Sequence, residues 1–328
     1  MSQVYENPYQ LDSLRQAQRT VYSFMQATPC YEWPQLSTRL KATAFVKHEN
    51  HAPLGAFKVR GGATYFESLM KRDPNCTGVI SATRGNHGQS VGLAARRSGI
   101  SATIVVPHGN SLEKNAAMRS LGVNLIEHGS DFQESRVHAM QLAQERGLHM
   151  IPSFHEDLVR GVASYWLEFF ESVPSLNRVY VPIGMGSGAC AAIAARDALN
   201  RDIEIVGVVS AHAQAYALSI AGKQVIEAPV TTVLADGMAC RSPDPDALAM
   251  LIRGIDTVVQ VTDDEVANAM RIYFSDTHNV AEGAGAAALA AALQDFAKRP
   301  ATVISRVLGL TLCGGNVDSE VFAKVLAH

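Results

Sequence analysis

The sequence predicts an open α/β protein of two lobes. Short β-branched runs alternate with helical segments, the pattern of parallel strands joined by helical crossovers. The alternation occurs twice, with a break between the two series, which implies two lobes facing a cleft. The length of 328 residues, with 47% hydrophobic and 18% charged, suffices for one large or two medium domains.

The first series begins with a strand at Gly78–Ser81 and a helix from Gln89 to Arg97. A strand at Ala102–Val106 ends at Pro107, a helix from Asn115 to Leu121 ends at Gly122, and a strand follows at Val123–Ile126. An amphipathic helix from Asp131 to Arg146 stops at Gly147. In the second series a strand at Arg178–Ile183 leads to a helix at Ala189–Asn200 and a strand at Ile203–Val209. Thr302–Leu312 reads as a late strand, and the alanine-rich stretch Ala284–Leu293 as a buried helix.

Four segments carry chemistry. In Pro53–Gly62 a Pro/Gly turn precedes Phe57 and Lys58 at the start of a helix; alone, this reads as a solvated lysine, and as a nucleophile only if burial lowers its pKa. Ser81–Gln89 holds Thr83, Arg84, Gly85, Asn86 and His87 between strand and helix, where free N–H groups make a carboxylate or phosphate seat. Gly184, Met185, Gly186, Ser187 and Gly188 form a second seat of this kind. Its alternative is a dinucleotide loop, with Glu204 as the ribose-binding acid of a nicotinamide oxidoreductase. Cys313 begins the fourth, a Cys-Gly-Gly-Asn turn that places a small thiol at a strand end.

Composition narrows the rest. A net charge of -3 without basic clusters gives no nucleic-acid footprint. Five cysteines without a CxxC pair argue against a disulfide framework or zinc site and for a reducing compartment. Met1–Arg19 is too polar for a signal peptide, and no apolar run is long enough to span a bilayer, so the expected location is the cytoplasm.

Taken in order, the four segments, with Leu234–Met238 and Ala281–Gly285, resemble fold-type II pyridoxal-phosphate enzymes, specifically the threonine/serine dehydratase and serine racemase branch. The resemblance spans roughly residues 5 to 325. It implies the tryptophan synthase β-like architecture, with a small lobe at 75–150 inserted in a larger lobe of residues 1–74 and 151–328, and a homodimer. It implies that Lys58 carries pyridoxal 5'-phosphate as a Schiff base and moves the Cα proton. Phe57 would pack beside the cofactor, Asn86 would bind its ring hydroxyl, and the 184–188 loop its phosphate. Glu282 would join the hydrogen-bond network around the ring, and Cys313 would be the neutral partner of the ring nitrogen. Ser81, Thr83, Arg84, Gly85 and His87 would line the seat of the amino-acid substrate. A neutral ring partner favours expulsion of a β-leaving group, so the expected activity is an ammonia-lyase (dehydratase) acting on a β-hydroxy amino acid. Serine racemase is the alternative, and a non-catalytic amino-acid-binding protein another.

The sequence departs from the branch at three places. Arg84 stands where racemases have a serine, and arginine is a poor base; it reads either as solvent-facing or as a contact for the substrate carboxylate or a polar side chain. Val209 and Ala215 replace the two acids of metal-activated members, so no metal is expected there. The sequence continues only a short way past the Cys313 motif, so feedback inhibition through a regulatory domain is not expected. Asp236 reads as a turn residue.

Overall fold

The structure is a computed structural model of one chain and describes residues 8–327. Residues 1–7 and 328, assigned above to the larger lobe, lie outside the described residues. The chain runs α1 (Leu11–Tyr22), β1 (Cys30–Glu32), α2 (Pro34–Leu40), β2 (Thr43–His48) and α3 (Lys58–Arg72). It continues through β3 (Gly78–Ala82), α4 (Asn86–Ser98), β4 (Ser101–Val106), α5 (Leu112–Ser120), β5 (Asn124–Glu127), α6 (Phe132–Arg146) and β6 (His149–Met150). Then come α7 (Glu156–Ser172), β7 (Arg178–Pro182), α8 (Ser187–Ala198), β8 (Glu204–Ser210), α9 (Ala215–Gly222), α10 (Pro245–Gly254) and β9 (Thr257–Val261). The chain closes with α11 (Asp263–Thr277), α12 (Gly283–Lys298), β10 (Val307–Leu312) and α13 (Ser319–Ala327).

Two sheets result. One is four-stranded, in the order β5-β4-β3-β6, and its pairs are parallel. The other is six-stranded, in the order β1-β2-β10-β7-β8-β9. Here β10, late in the chain, sits between β2 and β7, so one sheet joins segments from both flanks of the first. The edge pair β1–β2 is antiparallel, against the parallel expectation.

Side chains alternate across the larger sheet. Val179 and Val181 of β7 pack with α7 and α8, whereas Tyr180 points to the opposite core with α11 and α12. This period of two buries both faces. Residues Ala284–Ala292 of α12 are buried, as its alanine content predicts. Under the smaller sheet, Val79 and Ile104 face α4 while Ile80 and Val105 face α6. α6 is bounded as its sequence signals say: Asp131 accepts from the Glu134 N–H at 2.8 Å, and Gly147 ends it at φ 63°.

The late strand starts later than expected. Pro300–Thr302 forms a 3-10 turn, and Ser305 has φ 61°, so extended backbone begins only at Val307. Among the described residues, no helix is long and apolar enough to cross a membrane.

Candidate active site

The C-terminal ends of strands from both sheets open on one cavity, where ligands of open α/β sheets bind. Lys58 is the first residue of α3, directly after Phe57. Its Nζ donates to Ser187 Oγ at 3.0 Å, and so reaches from α3 to the first residue of α8. Burial lowers its pKa from 10.5 to about 8, with the charges at Cys313 and Glu282 acting the other way. This is not the solvated lysine that the segment alone suggests. Two residues on, the fully buried Arg60 guanidinium meets Glu49 and Glu168 at 2.7 Å each, which fixes α3 against α7.

The 184–188 loop follows β7 and opens α8. Gly186 has φ 97°, and a Cβ on Gly184 would lie 2.2 Å from the Gly237 carbonyl oxygen, so glycine is required at both. Tyr216 donates to the Met185 carbonyl at 3.1 Å and Trp166 to that of Gly188 at 3.0 Å. These bonds set the loop, and the free N–H groups of the α8 N-terminus face the cavity. Phe57 packs against this loop and meets Tyr165 edge-on at 6.0 Å.

The facing wall comes from the turn between β3 and α4. The Thr83 N–H bonds to Val105 O at 3.1 Å, and the Thr83 hydroxyl accepts from the Gly85 N–H at 3.0 Å. The first N–H groups of α4, from Asn86 on, are left for a ligand. Ser81 is a correction. Its hydroxyl is buried and donates to Ile151 O at 3.0 Å, and it does not line the cavity; its backbone is in the β3 ladder. His87 does line it, but burial, followed by the charge of Lys58, pulls its pKa down to about 3, so the ring is neutral.

Asn86 lies between two anchors: its amide donates to Glu282 Oε1 at 2.6 Å, and its carbonyl accepts from Asn316 at 2.8 Å. Glu282 is buried at the N-terminus of α12. Lys114 on α5 was missed from the sequence. Its Nζ donates to Asp236 Oδ2 at 2.7 Å and lies 3.2 Å from Glu282 Oε2. Burial opposes charge on Lys114, yet the two carboxylates raise its pKa and hold it protonated. Burial raises the pKa of Glu282 while Lys114 draws it down. Asp236 does sit in a 3-10 turn, as expected, but it is also an ion-pair partner in the cavity wall. The signal for Lys114 was faint, since a lysine in the first turn of a helix is ordinarily solvated. Cys313 lines the same cavity, and burial, with Glu282 nearby, pushes its thiol well above the usual range, so it stays protonated.

Glu204 lies elsewhere. It begins β8, at the strand end away from the cavity, and pairs with Arg178 at 2.5 Å. A ribose-binding acid belongs at the C-terminal end of its strand, so the dinucleotide reading fails on position.

Residues 21–313 match the pyridoxal-phosphate dependent enzyme family. The chain is 31% identical to the biosynthetic L-threonine dehydratase IlvA of Pasteurella multocida, over 93% of this chain and 59% of that protein. It is 31% identical to the catabolic L-threonine dehydratase TdcB of Staphylococcus aureus, over 97% of this chain and 92% of that one. Among solved structures, maize serine racemase superposes with a TM-score of 0.89 at 27% identity, over 97% of both chains. The chain thus spans about three fifths of the first relative and nearly all of the second.

The residues present fit the cofactor that this family uses. A glycine-rich cradle at a helix N-terminus suits its phosphate, and a half-buried amine of lowered pKa reaches that cradle. A protonated thiol and an anchored amide complete the cavity wall. The chain belongs to the pyridoxal-phosphate dependent enzymes.

Proposed function

We propose that this enzyme is an ammonia-lyase that eliminates water from a β-hydroxy amino acid and releases a 2-oxo acid and ammonia. The observation that carries this reading is the protonated, buried Cys313 in the wall of a cavity that also holds the low-pKa amine of Lys58. The relatives named as threonine dehydratases support the same chemistry.

Pyridoxal phosphate, when bound, supplies an electron sink for the pair left at Cα. The protein's residues do the rest. The 184–188 loop seats the phosphate through backbone N–H groups, and Phe57 packs beside the ring. Asn86, aligned by Asn316 and Glu282, binds the ring hydroxyl. Cys313 would present a neutral group to the ring nitrogen, and a neutral partner there favours loss of a β-leaving group. The N–H groups that open α4 hold the substrate carboxylate, with Thr83 fixing the turn and His87 staying neutral behind it. Lys58 Nζ anchors the cofactor and takes the Cα proton.

Racemisation needs a second proton carrier on the opposite face, and Arg84 is a poor base; this favours elimination. We further propose a small lobe at 75–150 within a larger lobe of 1–74 and 151–328, a homodimer, and a cytoplasmic location. The four-stranded sheet drawn from 78–150 supports the first, and the absence of a membrane-crossing helix among the described residues fits the last.

The test is release of 2-oxo acid from a panel of β-hydroxy amino acids by the holoenzyme, beside a Lys58→Ala variant. Full turnover by the variant would refute the role of Lys58, and racemised substrate without 2-oxo acid would favour the alternative.

A further inference from the structure

The cavity wall contains a cation that neither the proposed chemistry nor an ion pair among the described residues uses. Arg84 lies in the turn before α4 and lines the cavity. Its Nε is buried without a hydrogen-bond partner, and among the described residues its guanidinium has neither a hydrogen bond nor an ion pair. Buried polar groups are ordinarily bonded, so the buried Nε lacks the partner it would normally have, and the two terminal nitrogens of the fork are free to take a ligand. The two acids that line the cavity are already engaged: Asp236 and Glu282 both answer to Lys114, and Asn86 takes the other oxygen of Glu282.

The anions already assigned to the cavity have seats of their own. The cofactor phosphate would sit on the 184–188 loop, which follows a strand of the six-stranded sheet, whereas Arg84 follows one of the four-stranded sheet. A substrate α-carboxylate takes the N–H groups that begin at Asn86. The Lys114 stem lies over Gly85, where an added Cβ would meet its Cδ at 2.4 Å, and so limits the seat on that side. Arg84 is a surplus positive charge beside a completed seat. A planar guanidinium matches a carboxylate in two parallel hydrogen bonds.

We propose that Arg84 binds a second, distal carboxylate of the substrate, so that the enzyme acts on a 3-hydroxy dicarboxylic amino acid of the 3-hydroxyaspartate type. This rests on the site being an amino-acid site of a pyridoxal-phosphate enzyme. The reaction balances without a further reactant. The Cα–H and Cβ–OH bonds break and water leaves; the resulting enamine takes up water and gives a 2-oxo dicarboxylic acid and ammonia. A monocarboxylic substrate such as threonine would leave the guanidinium desolvated and unpaired, and that is how the site would discriminate.

The experiment measures kcat/KM of the holoenzyme for 3-hydroxyaspartate, serine and threonine, in the native protein and in Arg84→Ala and Arg84→Lys. The native enzyme should prefer 3-hydroxyaspartate, and Arg84→Ala should lose at least about 30-fold on it, the scale of a charge-assisted contact, while threonine changes less than about threefold. Arg84→Lys should keep part of the preference. A second readout needs no turnover: titration with aspartate, which has no leaving group, against alanine, following the visible band of the bound cofactor. Native protein should bind aspartate more tightly, and Arg84→Ala should bind the two alike. A native preference for serine or threonine would overturn the proposal. So would equal losses on all substrates in Arg84→Ala, which would place Arg84 on the α-carboxylate or the phosphate, or no change on any. If no substrate yields 2-oxo acid, the elimination reading fails, and the aspartate–alanine titration still decides the role of Arg84.

Discussion

Replacing Lys114 by methionine removes the charge that holds Asp236 and Glu282 while it keeps an aliphatic stem over Gly85. The two carboxylates differ in what they lose. The Asp236 side chain is 29% exposed and can turn to water, whereas that of Glu282 is 3% exposed and cannot. Breaking a buried ion pair by removing one partner costs about 3–5 kcal/mol, and with Asp236 hydrated the lower end of that range applies. The stranded Glu282 then relieves itself by taking a proton, because its folded-state pKa is already raised by burial and loses the opposing charge of Lys114. The direction follows from linkage. A carboxyl with a raised folded-state pKa gives stability that is fully present below its unfolded value of 4.5 and is lost as pH rises through the folded value. Lys114→Met should therefore be destabilised more at about pH 8 than at about pH 5, and Lys114→Met/Glu282→Gln should recover much of the loss at about pH 8. Urea unfolding of the holoenzyme at the two pH values reads both effects. A loss below about 1 kcal/mol that is the same at both pH values would show a hydrated pair of the surface kind, and the buried-network argument would be wrong.

In Gly184→Ala the new methyl would lie 2.2 Å from a backbone oxygen, and in Gly188→Ala it would lie 3.7 Å from the Phe57 ring. Cofactor affinity should fall roughly tenfold or more in the first and less in the second, measured by titrating apoprotein with pyridoxal phosphate; equal losses would reject the steric account. With its pKa lowered from 10.5 to about 8, Lys58 in the apoprotein should capture the cofactor at a rate that rises with pH and levels off above about 9. Its contribution to apoprotein stability should rise over the same side, between the folded value of about 8 and the unfolded 10.5, where the unfolded chain binds more protons. A capture rate that still climbs beyond pH 10 would mean an ordinary solvated lysine. Val209 and Ala215 carry no oxygen ligand in their side chains, so turnover should be unchanged by a chelator; abolition with rescue by Mg²⁺ would contradict this.

The parts of the fold that were legible carry local signals. Asp131 and Gly147 bound α6, and Pro107 closes β4, because caps and ring constraints act within a few residues. Helix starts were placed late where the first turn is glycine-rich or polar: α4 begins at Asn86 and not Gln89, and α8 at Ser187 and not Ala189. Those early turns line the cavity, and there propensity yields to ligand binding. The ordered motifs pointed to the 184–188 loop, Asn86 and Cys313, and the structure brings all of them to one cavity with Lys58. Lys114 was not legible, since its significance depends on Asp236 and Glu282, more than a hundred residues away. Ser81 was misread because strand alternation turns its side chain from the cavity toward Ile151. Glu204 fitted by spacing along the chain, but spacing does not say at which end of a strand a residue falls.

The cavity is a joint between two hydrogen-bond networks. The phosphate cradle belongs to the six-stranded sheet, and the turn at 83–87 to the four-stranded one. Each ladder is complete without the other, so one can breathe while the other stays closed. Side-chain bonds tie the two across the joint, among them those of Lys114 and Asn86, of Ser111 with Asp318 and of Glu113 with Ser319. If the two ladders open separately, amides near the cradle and amides near the turn exchange hydrogen at different rates. The proposed cofactor seat and the proposed substrate seat thus stand on different ladders, an arrangement that suits a resident cofactor and an exchangeable substrate.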